Sequence, residues 1–205
     1  MTEHRVSAST SARRLRALSV APLLSVLVFS GCGYNQVIDV DENVKATWAE
    51  VQNQYKRRSD LVPNLVKVVQ GAANFERDTL TKVIEARASA TSMKIDASTI
   101  DDPQKLQEFE AAQAKLSGAL SRLLVVSENY PDLKSNASFR DLQAQLEGTE
   151  NRIAVARNRY IESVADYNKL VLRFPTSIGA SLRGKKERPT FTGNPADEKP
   201  PEIKL

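Results

Sequence analysis

From Phe139 to Phe174 an apolar side chain returns at steps of three, four or seven residues: Phe139, Leu142, Leu146, Ile153, Ala156, Tyr160, Val164, Tyr167, Val171 and Phe174. A period near 3.6 puts these residues on one face of a helix and excludes a strand, whose faces alternate every second residue. The pattern is nearly a heptad seam, with one slip near Tyr160. Asn136 can cap this helix and Pro175 closes it. At 1.5 Å per residue it is about 55 Å long, so the fold around it is elongated.

Two further stripes lie upstream. Val44, Trp48, Val51 and Tyr55 begin one, behind Asp41 as a helix cap, and it resumes as Val62, Leu65, Val66, Val69, Leu80, Val83 and Ile84. Pro63 falls inside a continuing pattern, which predicts a helix from Asp41 to Thr91 that is bent near Pro63 and open to a break in two. Ile95–Asp102 is polar and reads as a loop. Asp102 then caps a helix with Pro103 at its first position, and Leu106, Phe109, Leu116, Leu120, Leu123 and Leu124 form its stripe. That helix stops at Asn129-Tyr130-Pro131, and the short turn at 130–136 makes the last two helices antiparallel neighbours. The chain has 8 Gly and 9 Pro, most of the prolines after residue 174, so the body is poor in breakers. The expected fold is all-α: an elongated antiparallel up-and-down bundle of three to four long helices over residues 41–175. Residues 176–205, rich in Gly and Pro, are expected to be an extended or disordered tail.

The N-terminus has a different character. Arg13, Arg14 and Arg16 precede an uncharged apolar run, Ala17 to Gly31, that suits a signal peptide and falls short of the ~20 residues needed to span a bilayer. The run ends Phe29-Ser30-Gly31-Cys32, which looks like a bacterial lipobox. The expectation is a signal peptide over 1–31, acylation of Cys32 and a lipidated linker over 32–40. Tyr34 to Ile38 leave an alternative, in which they extend the apolar stretch into an uncleaved anchor. Either way the body is tethered to membrane lipid at its N-terminus, on the periplasmic or otherwise extracytoplasmic side. The net charge of +4 comes largely from the first 31 residues, and the remainder holds 25 basic and 24 acidic side chains. A balanced body gives no reason to expect nucleic acid.

The chemistry left to the body is narrow. Cys32 is the only cysteine and His4 the only histidine, so no Cys–His or Ser–His–Asp site and no ordinary zinc site is expected, and no cofactor. Glu76, Asp78 and Glu85 share a helix with Arg77, Lys82 and Arg87 and read as a solvated face. Two clusters have alternative readings. Lys56, Arg57 and Arg58, with Asp60, form either a solvated turn before the bend or a site for lipid headgroups or an acidic partner. Tyr130, Pro131, Asp132, Leu133 and Lys134 either reverse the chain, with Tyr130 and Leu133 tucked against the helix ends, or present a docking patch at one end of the bundle.

Three stretches resemble the LemA family. The first is Tyr55-Lys56-Arg57-Arg58-Ser59-Asp60-Leu61-Val62-Pro63-Asn64-Leu65-Val66, continuing through Gly71, Glu76 and Glu85-Ala86-Arg87. The second is Glu128-Asn129-Tyr130-Pro131-Asp132-Leu133-Lys134-Ser135-Asn136 with Phe139 and Leu142. The third is Glu150, Ile153, Ala156-Arg157, Tyr160, Val164, Tyr167-Asn168 and Phe174-Pro175. The resemblance implies an all-helical fold and a membrane-tethered body outside the cytoplasm, with no settled activity. It is to a lipoprotein-like member, since Cys32 ends an apolar run where other members often carry a transmembrane helix. Ala72-Ala73-Asn74-Phe75 replaces a more usual Tyr-Ala-x-His and Ile161 replaces an Asn, so no histidine-based role carries over. The expected function is a membrane-anchored scaffold or adaptor of the bacterial cell envelope that binds other envelope proteins or itself, and not an enzyme. The alternatives are a membrane-remodelling structural protein and, less favoured, a carboxylate-dependent enzyme.

Overall fold

The computed structural model describes residues 34–93 and 97–191. The expected signal peptide, the acylation of Cys32 and the last fourteen residues of the expected tail lie outside the described residues. The elements are α1 (Tyr34–Gln70), α2 (Arg77–Ser92), a 3-10 turn (Ala97–Asp101), α3 (Pro103–Ser127), α4 (Pro131–Ser135), α5 (Ala137–Leu172) and α6 (Thr176–Leu182). No strand occurs among the described residues, and the fold is the expected all-α bundle. The long helices α1 and α5, of 37 and 36 residues, run antiparallel for about 55 Å. Thr47 Oγ1 meets Ser163 Oγ at 2.7 Å, and Glu50 pairs with Arg159 at 2.9 Å. The helices α2 and α3 form a second hairpin, with α2 packed on α1.

The stops and starts follow local chemistry. Asp102 accepts from the backbone N–H groups of Gln104 and Lys105, with Pro103 at the first turn. Asn136 accepts from those of Ser138 and Phe139. Both caps are the expected ones. The start of α1 is not: the helix is already formed at Tyr34, so Asp41 lies a full two turns inside it and is buried.

Pro63 is carried within α1, and the chain breaks after Gln70 instead. Proline lacks the N–H that would bond the carbonyl four residues back, which is that of Ser59. Arg87 of α2 donates its Nε to this carbonyl at 3.0 Å, so the orphan acceptor is satisfied from the neighbouring helix. The break comes where Asn74 takes a positive φ of 62°, a conformation Asn tolerates better than most residues. Tyr130 holds that turn, donating its hydroxyl to the Asn74 carbonyl at 3.0 Å and lying against Phe75 at a ring distance of 4.8 Å.

The predicted stripes form the core, with two exceptions. Ile84 is 48% exposed and Phe174 is 75% exposed. Helix α5 ends at Leu172, so Phe174 leaves the register that would have carried it inward. The expected tail also needs correction over 176–191. Thr176–Leu182 is helical, and Ala180, Arg188 and Phe191 are buried against the bundle.

The core divides into two clusters. One is rich in aromatic rings: Trp48, Tyr55, Phe109, Tyr160, Tyr167 and Phe191, with Val44, Val51 and Ile153 among them. The other is almost wholly aliphatic: Val62, Leu65, Val69, Leu80, Val83, Leu116, Leu120, Leu123, Leu142 and Leu146, closed by Phe139 and Leu133.

Candidate functional site

Between the clusters three helices put a polar residue where their stripes call for an apolar one. On α1 the position between Tyr55 and Val62 is Arg58. On α3 the position between Phe109 and Leu116 is Gln113. On α5 the position between Leu146 and Ile153 is Thr149, followed by Glu150. Arg58 is 1% exposed. Its Nη1 donates to Ser117 Oγ and Glu150 Oε1, both at 2.7 Å. Its Nη2 donates to the Gln113 side-chain oxygen at 2.6 Å and the Gln113 carbonyl at 3.1 Å. The guanidinium lies 5.0 Å from the Tyr55 ring centre. A planar fork with several donors suits such a junction of three helices, and lysine would not replace it.

This polar waist forms the floor of a cleft of about 530 Å³ between α3 and α5. A second rung crosses it. Arg157 pairs with Glu110 at 3.0 Å, donates to the Tyr55 hydroxyl at 3.3 Å and sits 4.2 Å over the Phe191 ring. Each carboxylate in the cleft therefore faces an arginine. Such an arrangement can hold helices in register or bind a polar ligand; Ser117 also donates its hydroxyl to Glu150 Oε1 at 3.3 Å, a carboxylate already paired with Arg58. Among the described residues no cluster of His, Cys, Asp and Glu is grouped to hold a metal ion.

A second charged assembly closes the end of the bundle where α1 begins. Lys185 donates to Asp41 Oδ2 at 3.0 Å. Arg188 donates Nε to Asp101 at 2.7 Å, and its Nη1 lies 2.9 Å from Asp41 Oδ1, in contact but off line for a hydrogen bond. The backbone is fixed too: Asn168 donates to the Arg188 carbonyl and accepts from its N–H, each at 2.9 Å. Burial pushes the Asp41 carboxyl upward, but the hydrogen bonds from Lys185 and Lys45 and the charges of Arg188 and Lys185 outweigh it and hold the group below its ordinary range. Burial alone would weaken the charge on Arg188, and Asp101 and Asp41 more than offset it. This clasp carries Phe191 into the aromatic cluster, 5.2 Å from Tyr160 and 6.0 Å from Trp48 by ring centres.

The contact residues anticipated from sequence scatter. Lys56 and Arg57 are exposed on α1, whereas Arg58 points inward, so the three do not form one basic surface and the segment is helix rather than turn. In the second cluster Leu133 is 3% exposed and part of the aliphatic core. Tyr130 is half-buried on Phe75. Of these five candidates only Pro131, Asp132 and Lys134 are exposed, with Lys134 paired to Glu128, so no Tyr130–Leu133 apolar patch stands out to solvent. Sequence reasoning missed Asp41, Gln113, Glu150, Arg157 and Arg188. For Gln113 and Arg58 the signal was present as a polar residue on an apolar stripe. For Arg188 there was none, because its partners are distant in sequence.

No helix among the described residues is long and apolar enough to cross a membrane. In comparison with known proteins, the model of the LemA family matches residues 47–205. Magnetosome proteins MamQ 1 and MamQ 2 of Paramagnetospirillum magneticum are each 25% identical over 205 residues, covering 91% of this chain and 75% of each relative. Magnetosome protein MamQ of Magnetospirillum gryphiswaldense is 26% identical over 200 residues, covering 90% and 74%. Protein LemA of Metamycoplasma hominis is 21% identical over 146 residues, covering 71% of this chain and 63% of the relative.

Proposed function

The chain belongs to the LemA family, and on that premise we propose that it is a non-catalytic, membrane-tethered helical scaffold of a bacterial cell envelope, acylated at Cys32, with its bundle held outside the cytoplasm for other envelope proteins or further copies of itself. The observation that carries this reading is continuity. Helix α1 begins at Tyr34, two residues after Cys32, and runs unbroken for 37 residues. A tether at Cys32 passes directly into a rod that spans the bundle. The turn that carries Pro131, Asp132 and Lys134 then sits at the far end, about 55 Å from the tether. The internal polar groups support the same reading, since Arg58, Arg157 and Arg188 join helices to one another. Exposed large apolar side chains gather at one end rather than along a side, which favours an upright rod over a bundle lying flat to bend a membrane. The names of the relatives denote no reaction.

Mass spectrometry of the form purified from membranes tests the tether. The expected mass lacks residues 1–31 and carries acyl chains on Cys32, and an intact N-terminus with unmodified Cys32 would overturn it. A photo-crosslinking residue in place of Asp132 in living cells tests the scaffold role. It is expected to capture a discrete envelope protein or a second copy, and only diffuse background in cells that make the folded chain would refute the role.

A further inference from the structure

The end of the bundle where α1 begins is also where α5 and α6 meet. Thr47 lies opposite Ser163, so the antiparallel register brings Ile38 level with Leu172. Around them Leu172 is 64% exposed, Phe174 75%, Ile178 56% and Leu182 85%. Ile178 and Leu182, four residues apart, lie on one side of α6, while Thr176 and Ala180 face the bundle, and Phe174 is exposed in the turn just before the helix. Elsewhere the exposed large apolar side chains, Ile84, Val125 and Val155, stand singly. Basic residues flank the apolar ones: Arg173, Arg183 and Lys186 are exposed, with Lys185 half-buried on Asp41 and Glu187 the neighbouring acid. Arg183, Lys185, Lys186 and Arg188 also border a hollow of about 390 Å³.

We propose that this end lies on the surface of an anionic lipid bilayer, with Phe174, Ile178 and Leu182 entering the headgroup boundary and Arg173 and Lys186 against lipid phosphates. The inference rests on the tether reading and deepens it. Two observations select lipid over a protein partner. The described chain enters at Tyr34 on this same end, two residues from the expected tether. Apolar side chains bordered by Lys and Arg are the composition of helices that lie in a membrane interface. Helix α6 has only 7 residues, too few to hold a membrane alone, but a tether at Cys32 keeps it at high effective concentration, so a weak contact suffices. An acyl tether is in turn strengthened by such a second contact.

The full chain, purified from membranes, is reconstituted into vesicles of phosphatidylcholine alone or mixed equally with phosphatidylglycerol. An environment-sensitive dye is placed through Leu182→Cys or, at the far end, through Val125→Cys. Brominated lipid is expected to quench most of the dye emission at position 182 in the mixed vesicles and to leave position 125 unchanged. Adding Arg173→Glu with Lys186→Glu should abolish the quenching while the chain still sediments with vesicles and keeps its helical circular dichroism. A chain that sediments with the dye at 182 still in water overturns the docking and leaves the tether standing. A chain that stays in the supernatant overturns both. Quenching that survives both the charge reversals and the absence of phosphatidylglycerol overturns the anionic-lipid assignment.

Discussion

The two halves of the core are built by opposite means. The aliphatic half, from Val62 to Leu146, fills with branched side chains from adjacent helices and is closed by the local turns at 71–76 and 130–136. The aromatic half stacks large rings edge to face, as Trp48 does on Phe109 at 5.4 Å and Tyr55 on Phe109 at 5.1 Å, and is closed by a segment that returns from the C-terminal side of α5. It also tolerates what the other half avoids. Trp48 Nε1 and the Tyr160 hydroxyl are buried without hydrogen-bond partners, and Asp41 and Arg188 form a buried ion pair. The aliphatic half is therefore cohesive through local packing, while the aromatic half depends on a long-range clasp. The half proposed to face the membrane is the one with the conditional closure, and the half that projects away is closed by local turns.

Breaking the waist between the halves should have the largest effect. Arg58→Ala removes hydrogen bonds to Gln113, Ser117 and Glu150, strands buried acceptors and opens a void. Loss of one partner of a buried pair is worth about 3–5 kcal/mol. Glu150 retains 44% of its side-chain exposure and can return to water, so the lower end of that range is expected. Urea unfolding followed by Trp48 fluorescence and by helical circular dichroism checks this. Both signals should shift together if the waist joins the halves into one cooperative unit. A shift of the fluorescence midpoint alone would show that the aromatic half unfolds by itself.

The clasp should respond to acid. The folded-state pKa of Asp41 is depressed below its ordinary value of 3.8. A depressed carboxylate contributes stability that is present above the ordinary value and lost as pH falls through it toward the folded one. Arg188 stays charged throughout. Asp41→Asn should cost about 1.5–3 kcal/mol at neutral pH, the range for hydrogen bonds to charged groups. The difference between the two proteins should vanish as pH falls below the ordinary aspartate range. Thermal melts across that range, with proteolysis near Lys185 as a local probe, test the assignment. A difference that stays constant down to acid pH would place the stabilising charge elsewhere.

The same division governs what the sequence made legible. Leu142, Leu146, Ile153, Tyr160 and Tyr167 were placed inside by periodicity, and Asp102 and Asn136 were identified as caps, because both signals are carried within a few residues. Pro63 was read inside a continuing helix, as it is, but the break after Gln70 was not placed, because the apolar stripe resumes at Leu80 beyond it. Asp41 was read as a cap because a carboxylate before an apolar stripe fits a helix start, and nothing local reveals that the helix begins two turns earlier. The segment after Pro175 was read as a tail from its Gly and Pro content. Three side chains, Lys185, Arg188 and Phe191, reverse that reading through contacts with residues far away in sequence, Lys185 reaching Asp41 across 144 positions. Of the candidate contact residues, Arg58 and Leu133 were displaced inward by helical register, which a cluster of chemically suggestive neighbours obscures.

The smallest effect is expected at Tyr160, and it sharpens the comparison most. Its ring is fully buried among Trp48 and Phe191. Its hydroxyl has no hydrogen-bond partner, and burial raises its pKa far above the ordinary tyrosine range. A hydroxyl desolvated without compensation opposes folding, so its deletion with the ring kept is neutral or favourable. Tyr160→Phe should therefore leave stability unchanged or raise it by about 1 kcal/mol. The change removes a single oxygen, so the stacking with Trp48 and Phe191 is retained. If urea titration shows the expected small gain, the aromatic half is held by ring packing and the clasp, and its buried polar atoms are a tolerated strain. A loss of more than about 1 kcal/mol would mean that the hydroxyl is satisfied in solution, and the contrast with the aliphatic half would then lie in a polar network rather than in the way each half is closed.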